Sequence, residues 1–106
     1  MSEDRIKLLK EWMQTDSTDP FLPYALALEF KKAGQLTETA DTLCTLLNTF
    51  PDYLPVYYQL GILFEETGKK ENALQVYRTG LQKAREQKDA KTAGEISEAI
   101  QRLEFD

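Results

Sequence analysis

The chain has 106 residues, of which 42% are apolar and 29% are charged. This length and balance suit one globular domain and exclude a disordered chain, which would be poorer in apolar residues. The net charge is −5, and Lys and Arg are scattered among more numerous carboxylates, so neither nucleic acid nor an anionic membrane surface is an expected partner.

The first predicted element is a helix over residues 3–14. Ile6, Leu9 and Met13 recur at helical spacing and form its apolar stripe. Trp12 stands beside that stripe. We expect it either in the core beneath the following helices or in an exposed patch used for self-association, and the sequence leaves both alternatives open.

A helical hairpin is predicted next. Asp19 is a good N-cap residue, Pro20 suits the first helical position, and Gly34 can take the left-handed conformation that ends a helix. Cys44 lies in the second helix of this hairpin, where we expect it to be a small core residue. The apolar stripe of that helix continues until the chain reaches Pro51, and consists of Ala40, Leu43, Leu46, Leu47 and Phe50.

A second hairpin repeats this plan, with Pro55 at its start and Gly68 at the turn between its helices. The last predicted helix carries an apolar stripe that includes Ile96 and Ile100. Its start is ambiguous, because Thr92 with Glu95 has capping-box spacing and Asp89 is an equally good N-cap. The sequence therefore predicts six helices and no strand.

Comparison of the chain with itself reveals a repeat. Residues 34 positions apart match in type, and the matches include aromatic, glycine and leucine positions. The pairs are Tyr24 with Tyr58, Leu26 with Leu60, Phe30 with Phe64, Gly34 with Gly68, Thr45 with Thr79 and Leu47 with Leu81.

These residues resemble the tetratricopeptide repeat, whose period of 34 carries an aromatic, Leu-Gly, Tyr, Ala, an aromatic and Pro in that order. The first copy departs from the pattern: Pro23 replaces the first aromatic, Thr39 the Ala and Leu43 the second aromatic. The second copy fits the pattern at Tyr57, Leu60, Gly61, Phe64, Ala73 and Tyr77. The chain as a whole resembles small bacterial proteins of this family that have two repeats and flanking helices.

The resemblance implies an all-α fold, an α-solenoid of stacked antiparallel helix hairpins. We expect a single domain over residues 1–106. Its predicted parts are an N-terminal helix (3–14), a first repeat (20–53), a second repeat (54–87) and a C-terminal capping helix (89–105). Each flanking helix looks like half a repeat, which would supply the third unit that such stacks need for stability.

The residues offer little for catalysis. The sequence contains no His and one Cys, which leaves no ordinary catalytic triad and no usual zinc site. No Gly-rich phosphate loop is present. We therefore expect no catalytic residue, no cofactor, no metal and no small-molecule substrate. The charged start and the lack of a long apolar run lead us to expect a cytoplasmic protein.

The resemblance also implies where a partner would bind, because first helices of these repeats line a concave groove. The expected function is a protein-interaction module that holds a peptide or helix of an unidentified partner protein there. In the alternative, the chain is a homo-oligomerising structural domain. A further alternative is that the chain's own terminal helices cover the groove residues, which are then core. The groove residues are Phe21, Tyr24, Leu28 and Lys31 in the first copy, and Tyr58, Ile62 and Glu65 in the second.

Overall fold

The computed structural model describes residues 2–105, apart from the side chain of Ser2, so the ends of the expected domain, Met1 and Asp106, lie outside the described residues. Six helices and no strand are found in this range, which confirms the predicted all-α fold. No helix in it is long and apolar enough to cross a membrane. The helices are α1 Ser2–Thr15, α2 Phe21–Lys32, α3 Leu36–Thr49, α4 Pro55–Glu66, α5 Lys70–Glu86 and α6 Ala90–Glu104.

The helix starts follow the period found in the sequence. α1, α3 and α5 begin at Ser2, Leu36 and Lys70, which are 34 residues apart in each case. α2 and α4 begin at Phe21 and Pro55, again 34 residues apart, and α6 follows 35 residues later. By this count α1 occupies the place of the second helix of a hairpin and α6 the place of a first helix. The start of α1 therefore follows the repeat spacing, and the start of α6 follows it to within one residue. That each terminal helix is half a repeat stays a prediction.

The chain forms two compact units, with the boundary between Tyr53 and Leu54. In the first unit α1 packs on α2 and α2 packs on α3, whereas in the second α4 packs on α5 and α5 packs on α6. The boundary falls where the sequence analysis divides the two repeats. That the units together form one domain stays a prediction.

The turns after α2, α4 and α5 share one hydrogen-bond arrangement. After α2, the Gln35 N–H donates to the Phe30 carbonyl (2.9 Å) and the Gly34 N–H to the Lys31 carbonyl (3.0 Å). These paired bonds define a Schellman motif, which needs a left-handed residue. Gly34 supplies it with φ 79° and Gly68 with φ 76°, as predicted.

The turn after α5 has the same pair of hydrogen bonds but contains no glycine. The Asp89 N–H donates to the Ala84 carbonyl (2.9 Å) and the Lys88 N–H to the Arg85 carbonyl (3.1 Å). Lys88 takes the left-handed position with φ 60°. A side chain at that φ clashes with the backbone, so this turn carries a strain that the other two avoid.

The helix starts agree with the predicted capping residues. The Asp19 carboxylate accepts a hydrogen bond from the Phe21 N–H (2.9 Å), and Pro20 already has helical dihedral angles. Pro55 is the first residue of α4. At α6 the ambiguity is settled in favour of Asp89, whose side chain accepts from the Thr92 N–H (3.1 Å) and from the Thr92 hydroxyl (2.8 Å).

The prediction for Cys44 is wrong, because the side chain is exposed. Leu43 and Leu46, which are almost fully buried, form the inward stripe of α3. Cys44 lies instead on the face that it shares with Asp41 and Asn48, both exposed. A residue next to a stripe position is rotated by about 100° around the helix and leaves the core.

Close packing in the second unit depends on two glycines. A Cβ atom at Gly61 would overlap the ring of Tyr77, which is fully buried. A Cβ atom at Gly80 would lie 2.5 Å from Cβ of Tyr57. Both contacts bring helix backbones close to aromatic rings, which is the role that small residues play in helix hairpins.

Candidate partner-binding surfaces

Helix α2 is apolar on two faces. One face packs against Ile6 and Leu9 of α1 through a set of buried apolar residues, Ala25, Leu26 and Phe30. The other face carries four of the predicted groove residues. Phe21 is 56% exposed, and Tyr24, Leu28 and Lys31 are partly exposed. A helix that is apolar all round normally has both faces covered, so the second face of α2 is a candidate contact surface.

Electrostatic contacts hold α1 on the first face of α2. Glu29 is buried, and its Oε1 atom has no hydrogen-bond partner among the described residues. Arg5 Nε lies 3.5 Å from that oxygen and supplies the opposite charge. Lys10 Nζ lies 5.7 Å from the ring centre of Phe30, a cation–π contact. This face of α2 is therefore occupied by the chain itself.

Tyr24 is held in place by a second aromatic ring. The rings of Tyr24 and Tyr53 meet edge to face, with centroids 5.6 Å apart and an angle of 70° between the ring planes. Such pairs are favourable because the positive edge of one ring meets the negative face of the other. Partial burial raises the pKa of Tyr53, and Tyr24 adds to the effect. The pair leaves the Tyr24 side chain fixed but partly exposed.

Two of the predicted groove residues of α4, Tyr58 and Glu65, are in a different situation, because residues of α5 and α6 contact them. Tyr58 packs against the buried cluster that α5 and α6 form, and its ring lies 6.2 Å from that of Tyr77. Ile62 is partly exposed. For Tyr58, the alternative that the chain's own helices cover the groove residues has direct support.

Glu65 is bound by two side chains of its own unit. The two terminal nitrogens of Arg102 donate to its carboxylate oxygens at 2.6 and 3.1 Å, and the Tyr77 hydroxyl donates to Oε2. The hydrogen bonds from Arg102 lower the pKa of Glu65 against the opposing effect of burial. Burial, and then the adjacent carboxylate, raise the pKa of Tyr77. The side chain of Glu65 is 16% exposed, so a partner would have to displace Arg102 to reach it.

Sequence reasoning missed a cleft in the first unit, with a volume of about 380 Å³. Three acidic residues lie on it, Asp16, Asp19 and Asp41, and it contains no Lys or Arg among the described lining residues. The one signal in the sequence was Pro23, which lines the cleft at the position where the second copy has Tyr57. The apolar part of the lining is formed by Met13, Pro23, Leu26, Leu46 and Phe50.

Neither a metal centre nor an activated thiol emerges from the geometry. Residues 2–105 contain no group of three or more His, Cys, Asp or Glu side chains placed to hold a metal ion. Partial burial, with a smaller effect from Asp41, raises the pKa of the Cys44 thiol. A raised pKa lowers the fraction of thiolate, the reactive form.

Structural comparison finds close relatives. A tetratricopeptide repeat domain protein from Salinibacter ruber, solved in solution, is 34% identical, with a TM-score of 0.81 over 85% of this chain and 91% of that one. A crystal structure of a tetratricopeptide repeat domain protein from the same organism is 35% identical to this chain. Its TM-score is 0.77, and the match covers 81% of this chain and 97% of that one. No protein-family model and no curated protein matches the sequence.

More distant structures share the fold. A protein from Bordetella parapertussis is 20% identical with a TM-score of 0.80, over 94% of this chain and 87% of that one. MamA is 20% identical with a TM-score of 0.70, and the match covers 96% of this chain and 58% of MamA. At this identity the likeness concerns the fold alone.

Proposed function

The chain belongs to the tetratricopeptide repeat family, and from this premise we propose that it is a non-enzymatic module that binds another protein. Repeat scaffolds carry many functions, so the proposal rests on the surface of this chain as well as on its family. A net charge of −5 argues against nucleic acid and anionic membranes as partners. The exposed free thiol of Cys44 fits a reducing cytoplasm.

One observation carries the proposal: the second face of α2 is apolar and only partly covered. Phe21 and Leu28 have no role in the buried cluster that joins α1 to α2, and Tyr24 is braced by Tyr53. Rigid, partly exposed aromatic side chains are frequent hot spots of protein interfaces. Lys31 lies at the end of this face and is partly exposed. Tyr58, Ile62 and Glu65, the predicted groove residues of the second unit, are a separate candidate surface on α4, where Glu65 could contact a partner only after releasing Arg102.

Affinity capture with a pair of matched variants tests this proposal. Phe21→Ser removes an exposed aromatic from the α2 face, and Phe105→Ser removes another, 90% exposed, beyond the end of α6. Neither change empties a core position, so both variants should fold. We expect the proteins captured by the native chain to be lost with Phe21→Ser and kept with Phe105→Ser. Equal capture by all three would exclude the α2 face as the binding site.

Self-association is a second candidate, favoured by the exposed face of α1. Leu8 is 40% and Trp12 47% exposed, and their spacing of four residues places them on one side of the helix. Trp12 is therefore not a core residue, and its exposed side chain supports the alternative in which this face serves self-association. Light scattering over a range of concentrations should show a dimer that Trp12→Lys dissociates. A monomer at every concentration would eliminate this candidate.

A further inference from the structure

We propose that the cleft of the first unit is a second protein-binding site, distinct from the α2 face. Its ligand is a short protein segment in which an aromatic side chain stands next to Lys or Arg. The aromatic side chain fills the cleft, and the basic residue meets the acidic rim. The proposal does not depend on binding at Phe21, Tyr24 or Leu28, none of which lines the cleft.

The cleft coincides with the place of a missing aromatic ring. In the second repeat Tyr57 is 3% exposed and packs closely against Gly80. The residues 34 positions earlier are Pro23 and Leu46, and both line the cleft. A proline ring is much smaller than a tyrosine side chain. Leu46, which is larger than Gly80, takes up part of that difference, and the cleft is the space that remains beside the two residues. The apolar wall of this open cleft faces water, and a ligand side chain that covers the wall would remove that apolar surface from water.

The size and lining of the cleft fit a side chain of a protein segment. About 380 Å³ lies near the lower end of the range of ligand pockets, roughly 300–1,000 Å³. The apolar lining residues come from all three helices of the unit, with Met13 from α1, Leu26 from α2 and Leu46 from α3. Such a site can enclose one large anchor while the rest of the segment lies across the surface.

The charge of the rim specifies the flanking residue. Asp16, Asp19 and Asp41 are the charged residues among those that line the cleft. Asp16 and Asp19 also accept local backbone hydrogen bonds. Asp41 makes no hydrogen bond or ion pair with another of the described residues, and an uncompensated carboxylate favours a cationic neighbour.

The acids are also not part of the repeat pattern. The residues 34 positions after Asp16, Asp19 and Asp41 are Phe50, Tyr53 and Gln75, none of them charged. Some of the residues that pack in both hairpins recur between the copies, as Phe30 and Phe64 do, whereas others, such as Tyr57 and Gly80, do not. The acidic rim does not recur, so the common fold of the two copies does not require it.

Binding of a defined peptide tests the proposal. The probe is a fluorescein-labelled peptide with one Phe flanked by Lys on each side, and the control peptide carries Glu in place of Lys. We expect the Lys peptide to bind and to shift the amide NMR signals of Asp41 and Thr45. Pro23→Tyr, which restores the ring of the other repeat, should weaken binding at least about tenfold by filling the cleft. Thr45→Tyr blocks the cleft from α3 and should do the same.

Reversing the charge of one acidic residue on the rim of the cleft is a second test of the proposal. Asp41→Lys should weaken binding about fivefold at low salt. Glu98→Lys makes the same change of net charge on an exposed position of α6 and should leave the affinity unchanged. Three results would each overturn the proposal: equal binding of the Glu peptide, undiminished binding by folded Pro23→Tyr and Thr45→Tyr variants, or signal shifts confined to the Phe21 and Tyr24 face.

Discussion

Gly61 lies where α4 comes closest to the ring of Tyr77 on α5. A methyl group there would overlap ring atoms of a side chain that is fully buried and cannot move aside. We expect Gly61→Ala to lower the free energy of unfolding by about 1–3 kcal/mol, the cost of overpacking a core. Urea denaturation followed by circular dichroism measures this change.

Gly94→Ala is the matched control. Gly94 lies in α6, is exposed, and has no atom within 4 Å of a Cβ built on it. Alanine is a better helix former, so this variant should gain about 0.5–1 kcal/mol in stability. If both alanine variants changed stability alike, the contact between Gly61 and Tyr77 would not be the cause.

Lys88 gives a second test at the level of one residue. It has φ 60° in a turn whose two counterparts use glycine. Lys88→Gly should raise the free energy of unfolding by about 0.5–1 kcal/mol, because glycine adopts this conformation without strain. Gly68→Ala, at the equivalent turn after α4, should instead cost about 1 kcal/mol. A destabilised Lys88→Gly variant would show that the lysine side chain makes a contribution that outweighs its backbone strain.

Single residues differ in how well the sequence predicts them. The left-handed conformations of Gly34 and Gly68 follow from local chemistry, and the sequence predicts them correctly. The exposure of Cys44 and the binding of Glu65 by Arg102 depend on which helix faces meet. Arg102 lies 37 residues from Glu65, and no spacing rule within one helix connects such positions.

Among the helices, α6 offers a test by pH. Hydrogen bonds from the Thr92 N–H and hydroxyl lower the pKa of the Asp89 carboxylate in the folded chain. A carboxylate whose pKa is lower in the folded chain than in the unfolded chain stabilises the fold at pH values above its unfolded pKa. That stability is lost as the pH falls through the folded pKa. We therefore expect the melting temperature to decrease through this acidic range.

Two substitutions separate the hydrogen bond from the charge of Asp89. Asp89→Asn keeps an N-cap acceptor and has no titrating group, so it should reduce the acid dependence and leave α6 formed. Asp89→Ala removes the cap and should lower the melting temperature at neutral pH as well. An acid dependence of Asp89→Asn equal to that of the native chain would assign the effect to other carboxylates.

The helices are the part of the structure that the sequence predicts best. The stripes, caps and turn residues are local signals, and the first predicted helix, 3–14, matches α1 to within one residue at each end. The sequence alone did not decide where α6 begins, since Asp89 and Thr92 are both good N-cap residues in isolation. In the folded chain they serve one cap together, because Thr92 donates to Asp89.

At the scale of the whole molecule, Trp12 reports on self-association because it is the only tryptophan. Its exposure of 47% should give the dilute protein a fluorescence emission close to that of free Trp in water. Burial of this face in a dimer would shift the emission to shorter wavelength as concentration rises. An emission typical of a buried indole at the lowest concentration would contradict the exposed position of Trp12.

The candidate surfaces are less predictable from the sequence than the fold. The period of 34 identifies the first helices, but it does not tell which of their faces the chain itself covers. α1 covers one face of α2, and Arg102 of α6 binds Glu65 on α4, through pairings that only the packed chain shows. The cleft lies beside Pro23, where the repeat pattern expects an aromatic residue. The repeat pattern shows that the aromatic is missing, but it does not predict that a cleft lies there.

We expect the chain to bind a protein partner through the second face of α2. Photo-cross-linking tests it most directly, with p-benzoylphenylalanine introduced at position 21 and, as the control, at position 105. In cells of the source organism we expect a specific cross-linked protein from position 21 and none of the same mass from position 105. No cross-link from position 21, or the same products from both positions, would contradict the claim.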